Sequence, residues 1–467
     1  MPNLRPYQEI AISQIREKFQ TGFRKVLLKL PTGSGKTVCF SEIAKSALSK
    51  NKKVLIVVRG VTLVEQASAR MTQEGIGHGV LMGDHWNYRP HLPCQIASID
   101  TCISRKLKPE CDLIIIDEAD LATSKGYRTF LSQYPNTFIL SVTATPDVEE
   151  GLRHVADIVV NPITVQELVD QKYLSPLRYF APSAPDLKGV KIISREYKND
   201  ELEERMVAGK LTGRIIDHWI KKAENRPTLL FAVNIRHSKM LAERFLAAGV
   251  SAEHCDALVS DENRKEAFKR LETGNTSVLC TVGIATRGVD LPFVSCLVLA
   301  RPTKSLRLHI QMLGRGTRIC PGKSDCLILD HAGNTLEHGY ITDEIETCLD
   351  GKKKTEKNVL QTKTCDFCFA VYRGKVCPEC GEEKPERKFD LSESNKELQE
   401  VVVDPVLQLY NSLKREAKMR DRKQVWAMHK LVDKVGLDAA RPHLPIWFIK
   451  KEELGPFAYS PFKPIIR

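Results

Sequence analysis

The stretch LPTGSGKT, from Leu30 to Thr37, limits the possible folds of this 467-residue chain more than any other feature. It follows the apolar run Val26–Leu30, which predicts a strand, and precedes a helical pattern over Val38–Ser49. A strand, a glycine-rich turn and a helix in this order are the setting that a phosphate-binding loop requires. The strict pattern has glycine where this chain has Leu30, but the GSGKT core is intact. A glycine-rich turn with a chance lysine is the alternative interpretation.

The residue types in this loop suit phosphate chemistry. Gly33 and Gly35 let the backbone fold tightly, so that amide N–H groups point at phosphate oxygens. Lys36 would add a positive charge for the outer phosphates, and Thr37 would offer a hydroxyl to Mg²⁺. The predicted ATP-binding residues of the loop are Thr32, Gly33, Ser34, Gly35, Lys36 and Thr37.

Two carboxylates directly follow the apolar run in Asp112–Asp117. Ligands bind at the carboxyl ends of strands in open α/β sheets, so this position suits a nucleotide site. Asp117 is predicted to hold Mg²⁺ through water, and Glu118 to orient or deprotonate the attacking water. Acidic residues often follow strands, so the prediction depends on the phosphate loop in the same domain.

Apolar runs and helical patterns alternate twice along the chain. Continuous apolar runs suit strands that are covered on both faces, as in a parallel sheet with helical crossovers. The predicted strands are Val26–Leu30, Val54–Val58, Asp112–Asp117, Phe138–Val142, Thr228–Val233, Val278–Val282, Cys296–Ala300 and Cys326–Asp330. The predicted helices are Val38–Ser49, Leu63–Met71, Asn199–Val207, Ser238–Ala248, Asp261–Thr273 and Ser305–Leu313. The pattern predicts two tandem α/β domains.

The second half of the alternation lacks a phosphate loop but contains TRGVDLP, Thr286–Pro292, and QMLGRGTR, Gln311–Arg318. Arg315 and Arg318 are three residues apart, so a helical start would place both on one side. They are candidate arginine fingers for a nucleotide that the first half holds. The alternative is that they are surface arginines of a basic protein.

These motifs, together with RPYQ near the start and TATP after the fourth strand, occur in the order found in superfamily 2 helicases and translocases. The resemblance covers roughly residues 1–345. It implies two RecA-like domains of the α/β class with ATP between them. It also implies that the catalytic residues are Lys36, Asp117, Glu118, Gln311, Arg315 and Arg318.

The resemblance assigns further roles by position. Arg5 and Gln8 resemble an adenine-reading pair, and Thr143–Thr145 a motif that couples hydrolysis to nucleic-acid binding. Gly288 and Asp290 match a second-domain motif near the ribose and phosphates. Residues that resemble strand-contacting motifs are Arg59 and Ser98.

The tetrapeptide DEAD invites comparison with RNA helicases, but three features differ from that family. Little sequence precedes Gln8, whereas that family has an aromatic residue well upstream of the glutamine that reads adenine. The stretch VVRGVTLVEQ lacks the PTREL-type motif of that family, and QMLGRGTR differs from its HRIGRTGR-type motif. The chain is more similar to the branch with restriction-enzyme subunits, and Ala300–Asn334 resembles RadD-like and related phage helicases, which act on DNA. The implied function is an ATP-dependent DNA helicase or translocase in repair, recombination or replication. An RNA remodeller, or a recruitment module that uses ATP as a switch, remains an alternative.

Four of the 14 cysteines are tightly spaced, as Cys365-x2-Cys368-x8-Cys377-x2-Cys380. Four thiolates at this spacing can close a tetrahedral Zn²⁺ site, which would be structural because protein fills every position. A 4Fe–4S cluster has the same ligand count and is the main alternative. The other ten are scattered and are predicted to be mostly small buried residues.

The end of the chain is basic and helical in pattern. From Gly351 onward there are 24 basic and 17 acidic residues, within a chain whose formal charge is +12. Leu413–Lys430 is rich in lysine and arginine, and Trp426 and His429 could stack on bases. The alternative is an amphipathic helix docked on the motor with a solvated opposite face, in which Trp426, Met428, Leu431 and Val435 form the docked stripe.

These patterns predict five regions: domain 1 at 1–160, a connection and entry to domain 2 at 161–225, domain 2 at 226–350, a zinc module at 360–385 and a basic helical region at 400–467. The expected ligands are ATP, Mg²⁺, Zn²⁺ and single-stranded or branched DNA. Single-strand-binding or recombination proteins are possible partners, and the motor is expected to work as a monomer. The start of the chain lacks a signal-peptide layout, and no apolar stretch is long enough to span a membrane, which predicts an intracellular protein. The resemblance implies the cytoplasm of a bacterial or phage-infected cell.

Overall fold

The structure is a computed structural model. It describes residues 4–146, 150–180, 187, 189–193, 196–207, 210–284, 290–343, 345, 347, 349–351, 362–364, 371–373, 400–401, 404–419, 424–445 and 448–449.

The first α/β domain is built on a seven-stranded parallel sheet. Its elements are α1 (Pro6–Gln20), β1 (Lys25–Lys29), α2 (Lys36–Leu48), β2 (Val54–Val58), α3 (Val61–Gln73), β3 (Gly79–Leu81), β4 (Cys94–Ser98), α4 (Ile99–Ser104), β5 (Leu113–Asp117), α5 (Lys125–Leu131), β6 (Phe138–Thr143), β7 (Ile158–Val160) and α6 (Val165–Asp170). The strand order is β3-β4-β2-β5-β6-β1-β7. All neighbours run parallel, so the carboxyl ends of the strands share one edge.

Both faces of this sheet are buried, because successive strand residues point to opposite sides. In β2, Val54 and Ile56 lie in one core with helices α1 and α2. Leu55 and Val57 lie in the other core with residues of α4 and α5. The absence of hydrophobic–polar alternation in these strands is therefore a consequence of their double cover.

The second α/β domain contains another seven-stranded sheet. Its elements are β8 (Leu177–Phe180), β9 (Ile192–Ile193), β10 (Glu196–Tyr197), α7 (Asn199–Val207), α8 (Lys210–Lys222), β11 (Thr228–Phe231), α9 (Ile235–Ala247), β12 (Ala252–Asp256), α10 (Asp261–Glu272), β13 (Val278–Val282), β14 (Cys296–Leu299), α11 (Leu306–Leu313), β15 (Cys326–Asp330) and α12 (Asn334–His338). The sheet order is β12-β13-β11-β14-β15-β8, with the short antiparallel strand β18 (Glu400–Val401) beside β8.

The predicted tandem of two parallel-sheet α/β domains is confirmed. All eight predicted strands are present within two residues of the expected bounds, and the helix Asn199–Val207 is as predicted. Five elements in the range 161–225, from β8 to α8, belong to the second domain. Strand β8 pairs with β15, and Trp219 of α8 is buried in the core of the second sheet. Eight of the scattered cysteines are found as expected in or near the cores, and burial raises the pKa of Cys39 and Cys94 to about 12.

The end of the chain contains two further described parts. Strands β16 (Thr362–Thr364) and β17 (Val371–Arg373) form an antiparallel pair. The predicted zinc ligands Cys365, Cys368, Cys377 and Cys380 all lie outside the described residues. In the part of the chain that the structure describes, no group of three or more His, Cys, Asp or Glu side chains is placed to hold a metal ion.

A separate compact unit begins at Val402. It contains α13 (Pro405–Met419), α14 (Gln424–Val435) and α15 (Leu437–Ala440). Met428 and Leu431 are buried in its small core, and Trp426 and Val435 pack against that core, so the predicted apolar stripe packs inside this unit. The His429 ring lies edge-on to Phe448, with centroids 4.9 Å apart. Among the described residues, no helix combines the length and apolar character needed to cross a membrane.

Candidate nucleotide site

The phosphate loop connects β1 to α2, and its backbone conformation requires glycine at two positions. Gly33 and Gly35 have φ angles of +83° and +81°, which side-chain-bearing residues rarely adopt. Gly35 is also the residue from which α2 begins, so the first amides of the helix open towards the loop. Leu30, where the strict motif has glycine, is fully buried in the core of the first sheet. The departure from the motif therefore serves packing.

The start of helix α1 is hydrogen-bonded to the backbone of the phosphate loop. The Tyr7 hydroxyl donates to the Ser34 carbonyl at 2.6 Å, and Gln8 Nε2 donates to the same carbonyl at 3.1 Å. A Cβ at Gly35 would lie 2.6 Å from Gln8 Nε2, so the glycine also makes room for this contact. The guanidinium of Arg5 lies 4.8 Å from the centre of the Tyr173 ring. Arg5 and Gln8 are thus held beside the loop, and their adenine-reading role stays a prediction.

Asp117 ends β5 and Glu118 follows it in a left-handed conformation with φ of +50°. Asp117 Oδ1 accepts the backbone N–H of Glu118 at 2.9 Å. Burial raises the pKa of Asp117, while the charge of Lys36 acts in the opposite direction. A non-glycine residue in this backbone region is strained, and such residues concentrate at functional sites. The strand end and its strained turn place both carboxylates at the carboxyl edge of the sheet.

Asp120 links three segments. Its Oδ1 accepts the Thr143 hydroxyl at 2.7 Å, and Thr143 Oγ1 in turn accepts the N–H of Thr145 at 3.1 Å. Its Oδ2 accepts Arg307 Nη1 of the second domain at 3.2 Å. Asp120 is buried, which strengthens both contacts because little water competes for them. This network joins the predicted coupling motif to the second domain, and sequence reasoning assigned no role to Arg307.

Arg315 and Arg318 lie in the turn that follows α11. The helix ends at Leu313, as the predicted helix Ser305–Leu313 does, so both arginines lie in the turn beyond it rather than on a helical face. The turn needs glycine for space, because a Cβ at Gly314 would collide with Thr32 of the phosphate loop and one at Gly316 with Cys326. Arg315 is buried, and burial lowers its pKa to about 10.

The turn after α11 also approaches the phosphate loop through its later residues. A Cβ at Gly33 would lie 3.6 Å from Thr317 Oγ1 and 3.9 Å from Arg318 Cγ. Arg318 forms an ion pair with Asp290. Both arginines of the second domain therefore belong to the surroundings of the loop. Gly288 lies outside the described residues.

Lys323 holds this turn and was not singled out by the sequence. Its ammonium donates to the carbonyls of Gly316 and Arg318 at 2.8 Å each, and to Pro292 at 3.3 Å. Burial lowers the pKa of Lys323. No motif marks a lysine in this position, and in the sequence it resembles an ordinary loop lysine.

Three further predicted site residues are Gln311, Ser98 and Arg59. Gln311 is buried near the end of α11. Ser98 is buried at the start of α4, and exposed Arg59 lies 3.8 Å from Asp100 of that helix. These two positions end neighbouring parallel strands, β4 and β2.

The residues present suit a magnesium nucleotide as ligand. A loop with two left-handed glycines, a lysine and a helix start fits phosphate groups, and an aspartate at a strand end fits a hydrated magnesium ion. Thr37 and Asp117 would hold Mg²⁺, which would neutralise phosphate charge when bound. This site and the two sheets define a P-loop nucleoside triphosphatase with two α/β domains.

Comparisons with known proteins agree with this class. Residues 1–148 match the family "Type III restriction enzyme, res subunit", and residues 211–320 match the family "Helicase conserved C-terminal domain". The chain is a superfamily 2 helicase of the branch that contains restriction-enzyme subunits. It is therefore an ATP-hydrolysing enzyme.

Individual relatives are similar over most of this chain. The "51.5 kDa protein" of a Lactococcus phage is 28% identical over 382 residues, which cover 80% of each protein. The candidate ATP-dependent helicase IRC3 of Saccharomyces cerevisiae is 29% identical over 71% of this chain, which spans about half (52%) of IRC3.

A solved structure shares the fold. A fragment of a candidate HsdR subunit of a type I restriction enzyme from Vibrio vulnificus superposes with a TM-score of 0.55 and 21% identity. The match covers 75% of this chain and 67% of that one. The two α/β domains thus have the tandem RecA-like arrangement.

Proposed function

We propose that this protein is an ATP-dependent DNA helicase or translocase that acts in DNA repair, recombination or replication. The observation that carries the proposal is that side chains of both domains meet at the phosphate loop. Thr32 and Gly33 of the first domain lie against Gly314 and Thr317 of the second. A nucleotide there would touch both domains, so its hydrolysis can change how they meet, as a motor on a strand requires.

The roles within this motor follow from position. Lys36 and the loop amides bind the phosphates, Thr37 and Asp117 hold Mg²⁺, and Glu118 orients the attacking water. Arg315 and Arg318 stabilise the charge that develops on the transferred phosphoryl group. Gln311 supports them, Arg5 and Gln8 receive the adenine, and Gly288 and Asp290 lie towards the ribose.

DNA rather than RNA is proposed because residues 1–148 match a restriction-enzyme subunit family, and restriction enzymes act on DNA. The proposal is tested by ATPase and strand-separation assays on single-stranded DNA, duplex, fork and four-way junction, with matched RNA. We expect DNA to stimulate ATPase, with single-stranded or branched DNA the most effective. Stimulation by RNA alone would favour the RNA remodeller, and no response to any nucleic acid would reject a motor.

A trapped variant separates a motor from a nucleotide switch. Glu118→Gln is expected to bind ATP as the wild type does but to lower turnover by about 100-fold or more, because the water is no longer activated. A switch needs only nucleotide binding, so DNA recruitment would survive in this variant while translocation would stop. Full translocation by Glu118→Gln would contradict the assigned role of the carboxylate.

We also propose that the region at 360–385 is a structural zinc module and that the basic region at 400–467 contacts DNA. The support is the spacing of Cys365, Cys368, Cys377 and Cys380 and the excess of lysine and arginine near the end. Metal analysis of freshly purified protein should find one zinc per chain. Absorbance near 400 nm would instead indicate an iron–sulfur cluster. A cytoplasmic location, a monomeric motor and single-strand-binding or recombination proteins as partners complete the proposal.

A further inference from the structure

We propose that Trp86 and Tyr88 form a base-stacking surface for a single strand of nucleic acid, with Arg89 and Lys106 as phosphate contacts. This inference rests on the proposed function, which it deepens by naming a strand-binding site. The two rings lie in the loop 82–92, which connects β3 to β4 in the first domain. Trp86 is 81% exposed and Tyr88 is 60% exposed.

The loop presents these rings on a fixed support. His85 and Asn87, which alternate with the two aromatic residues, are turned inward. His85 Nε2 lies 3.0 Å from Glu65 of α3, and Asn87 Nδ2 donates to the carbonyl of His78 at 3.3 Å. Val80 N–H donates to the carbonyl of Asn87 at 2.9 Å. Large rings in water on an anchored backbone are costly unless a ligand covers them.

The loop also contacts the residue that follows α4 and the strand β3 that precedes the loop. Arg105 donates to the carbonyl of Gly83 at 3.0 Å and pairs with Asp84 at 3.2 Å. A Cβ at Gly79 would collide with the carbonyl oxygen of Arg89, so the strand before the loop needs a glycine there. Contacts therefore fix the conformation of the loop on both sides of Trp86 and Tyr88.

The position of the loop points to a strand rather than to another protein. Strands β3, β4 and β2 are parallel neighbours, so the start of the loop lies at the carboxyl edge of the sheet with the start of α4 and with Arg59, and from Asn87 the loop runs back beside β3. That edge also carries the phosphate loop. A strand bound here would therefore lie on the same edge of the sheet as the nucleotide.

The charges around the rings fit a polyanion. The acidic side chains of the loop and of helices α3 and α4 each have a partner: Asp84 with Arg105, Asp100 with Arg59, and Glu65 with His85. Among the described residues, Arg89 and Lys106 have no acidic partner, and both are exposed. Aromatic faces interleaved with available cations are the features with which proteins bind single strands.

The test measures affinity for a fluorescently labelled single strand of thymidylate, without nucleotide, by anisotropy. Trp86→Ala and Tyr88→Ala should each weaken binding roughly tenfold, because each removes one stacked base. Trp86→Phe should restore most of the affinity. Leu258→Ala, which removes another exposed side chain (84%) in the second domain, is the matched control and should bind as the wild type does.

Two further measurements identify what each side chain contacts. On a strand with abasic sites, the difference between wild type and Trp86→Ala should vanish, because no base is left to stack. Arg89→Ala should lower the slope of log affinity against log salt by about 0.7, whereas Trp86→Ala should leave the slope unchanged. Quenching of tryptophan fluorescence by the strand should be smaller in Trp86→Phe than in the wild type.

The outcomes separate this inference from the proposed function. If wild type binds and hydrolyses ATP in response to DNA, but Trp86→Ala and Tyr88→Ala bind as tightly as wild type, the stacking surface is rejected and the motor stands. If these variants instead lose a concentration-dependent self-association, the surface binds a second copy and the proposal is overturned. If wild type binds no strand at all, the proposed function fails first. Melting temperatures of all variants exclude misfolding.

Discussion

The two α/β domains have the same topology but different chemistry. The first sheet has the order β3-β4-β2-β5-β6-β1-β7, and the second has β12-β13-β11-β14-β15-β8-β18. Position by position, β8 corresponds to β1, β11 to β2 and β14 to β5. Both sheets are parallel apart from the added edge strand β18, and both are buried between helices. The difference between the domains therefore lies in the loops at the strand ends.

The segments after corresponding strands show this division. After β1 comes GSGKT, whereas the residues that follow β8 in the sequence, Ala181-Pro182-Ser183, include neither lysine nor glycine. Strand β5 ends in Asp117, whereas β14 ends in Leu299. The second domain contributes arginines from the turn after α11 instead. The first domain thus supplies the phosphate loop and the carboxylates of the site, and the second domain supplies arginines. Because the two domains share one fold, their different functions reside in the loops.

The largest effect should come from the residue that most distinguishes the first domain. Lys36→Ala removes the only lysine of the phosphate loop, so ATPase should fall by about 1,000-fold or more, measured as phosphate release. The matched control is Lys50→Ala, an exposed lysine just beyond the end of α2, which should retain full activity. Normal ATP turnover in Lys36→Ala would show that the nucleotide binds elsewhere. The two domains would then not differ in their capacity to bind phosphate through this loop.

The reciprocal test removes a cation of the second domain. Arg315→Ala should lower kcat by about 1,000-fold while ATP affinity changes little, because an arginine finger acts on charge that develops in the transition state. Arg315→Lys retains a charge and should recover part of the loss. If kcat were unchanged in Arg315→Ala with an intact melting temperature, the first domain alone would be catalytic.

A smaller effect is expected from the lysine that holds the arginine turn. Lys323→Met keeps the aliphatic stem but removes three hydrogen bonds to the carbonyls of Gly316, Arg318 and Pro292. We expect kcat to fall about tenfold, and the free energy of unfolding to drop by about 1–3 kcal/mol, because buried carbonyls lose their donor. A variant that lost stability but retained kcat would show that the turn positions itself without Lys323.

Sequence reasoning predicted eight of the fourteen strands in the two large sheets, because buried parallel strands are continuous apolar runs; it missed β3, β4, β7, β8, β12 and β18. It failed for β12, where Glu253 and His254 interrupt the run. That strand lies at the edge of the sheet, and Glu253 is satisfied there by Arg270 at 2.7 Å. An edge strand needs only one or two buried side chains, so its pattern resembles a loop. Strand β8 was missed because it is short and lies among prolines.

The candidate site was predictable where a motif fixes local geometry, as in the phosphate loop and in Asp117. The predicted end of the helix at Leu313 was confirmed, and Gly314 is a recognisable signal for it, but no sequence pattern indicated the conformation of the arginine turn beyond it. Lys323 and Arg307 gave no such signal, because their roles depend on which carbonyls and carboxylates the fold brings near them.

The smallest effect is expected from the contact that joins the two domains. Arg307 of the second domain reaches Asp120, which also accepts Thr143 of the first. Arg307→Ala should therefore reduce the stimulation of ATPase by DNA about fivefold, more than it reduces the basal rate, because the domains lose a shared contact that reports strand binding. The matched control is Arg236→Ala, an exposed arginine of the second domain whose guanidinium lies 3.4 Å from Glu203. If the ratio of stimulated to basal rate were the same in both variants, Asp120 would be a structural contact, and coupling would pass through the arginine turn alone.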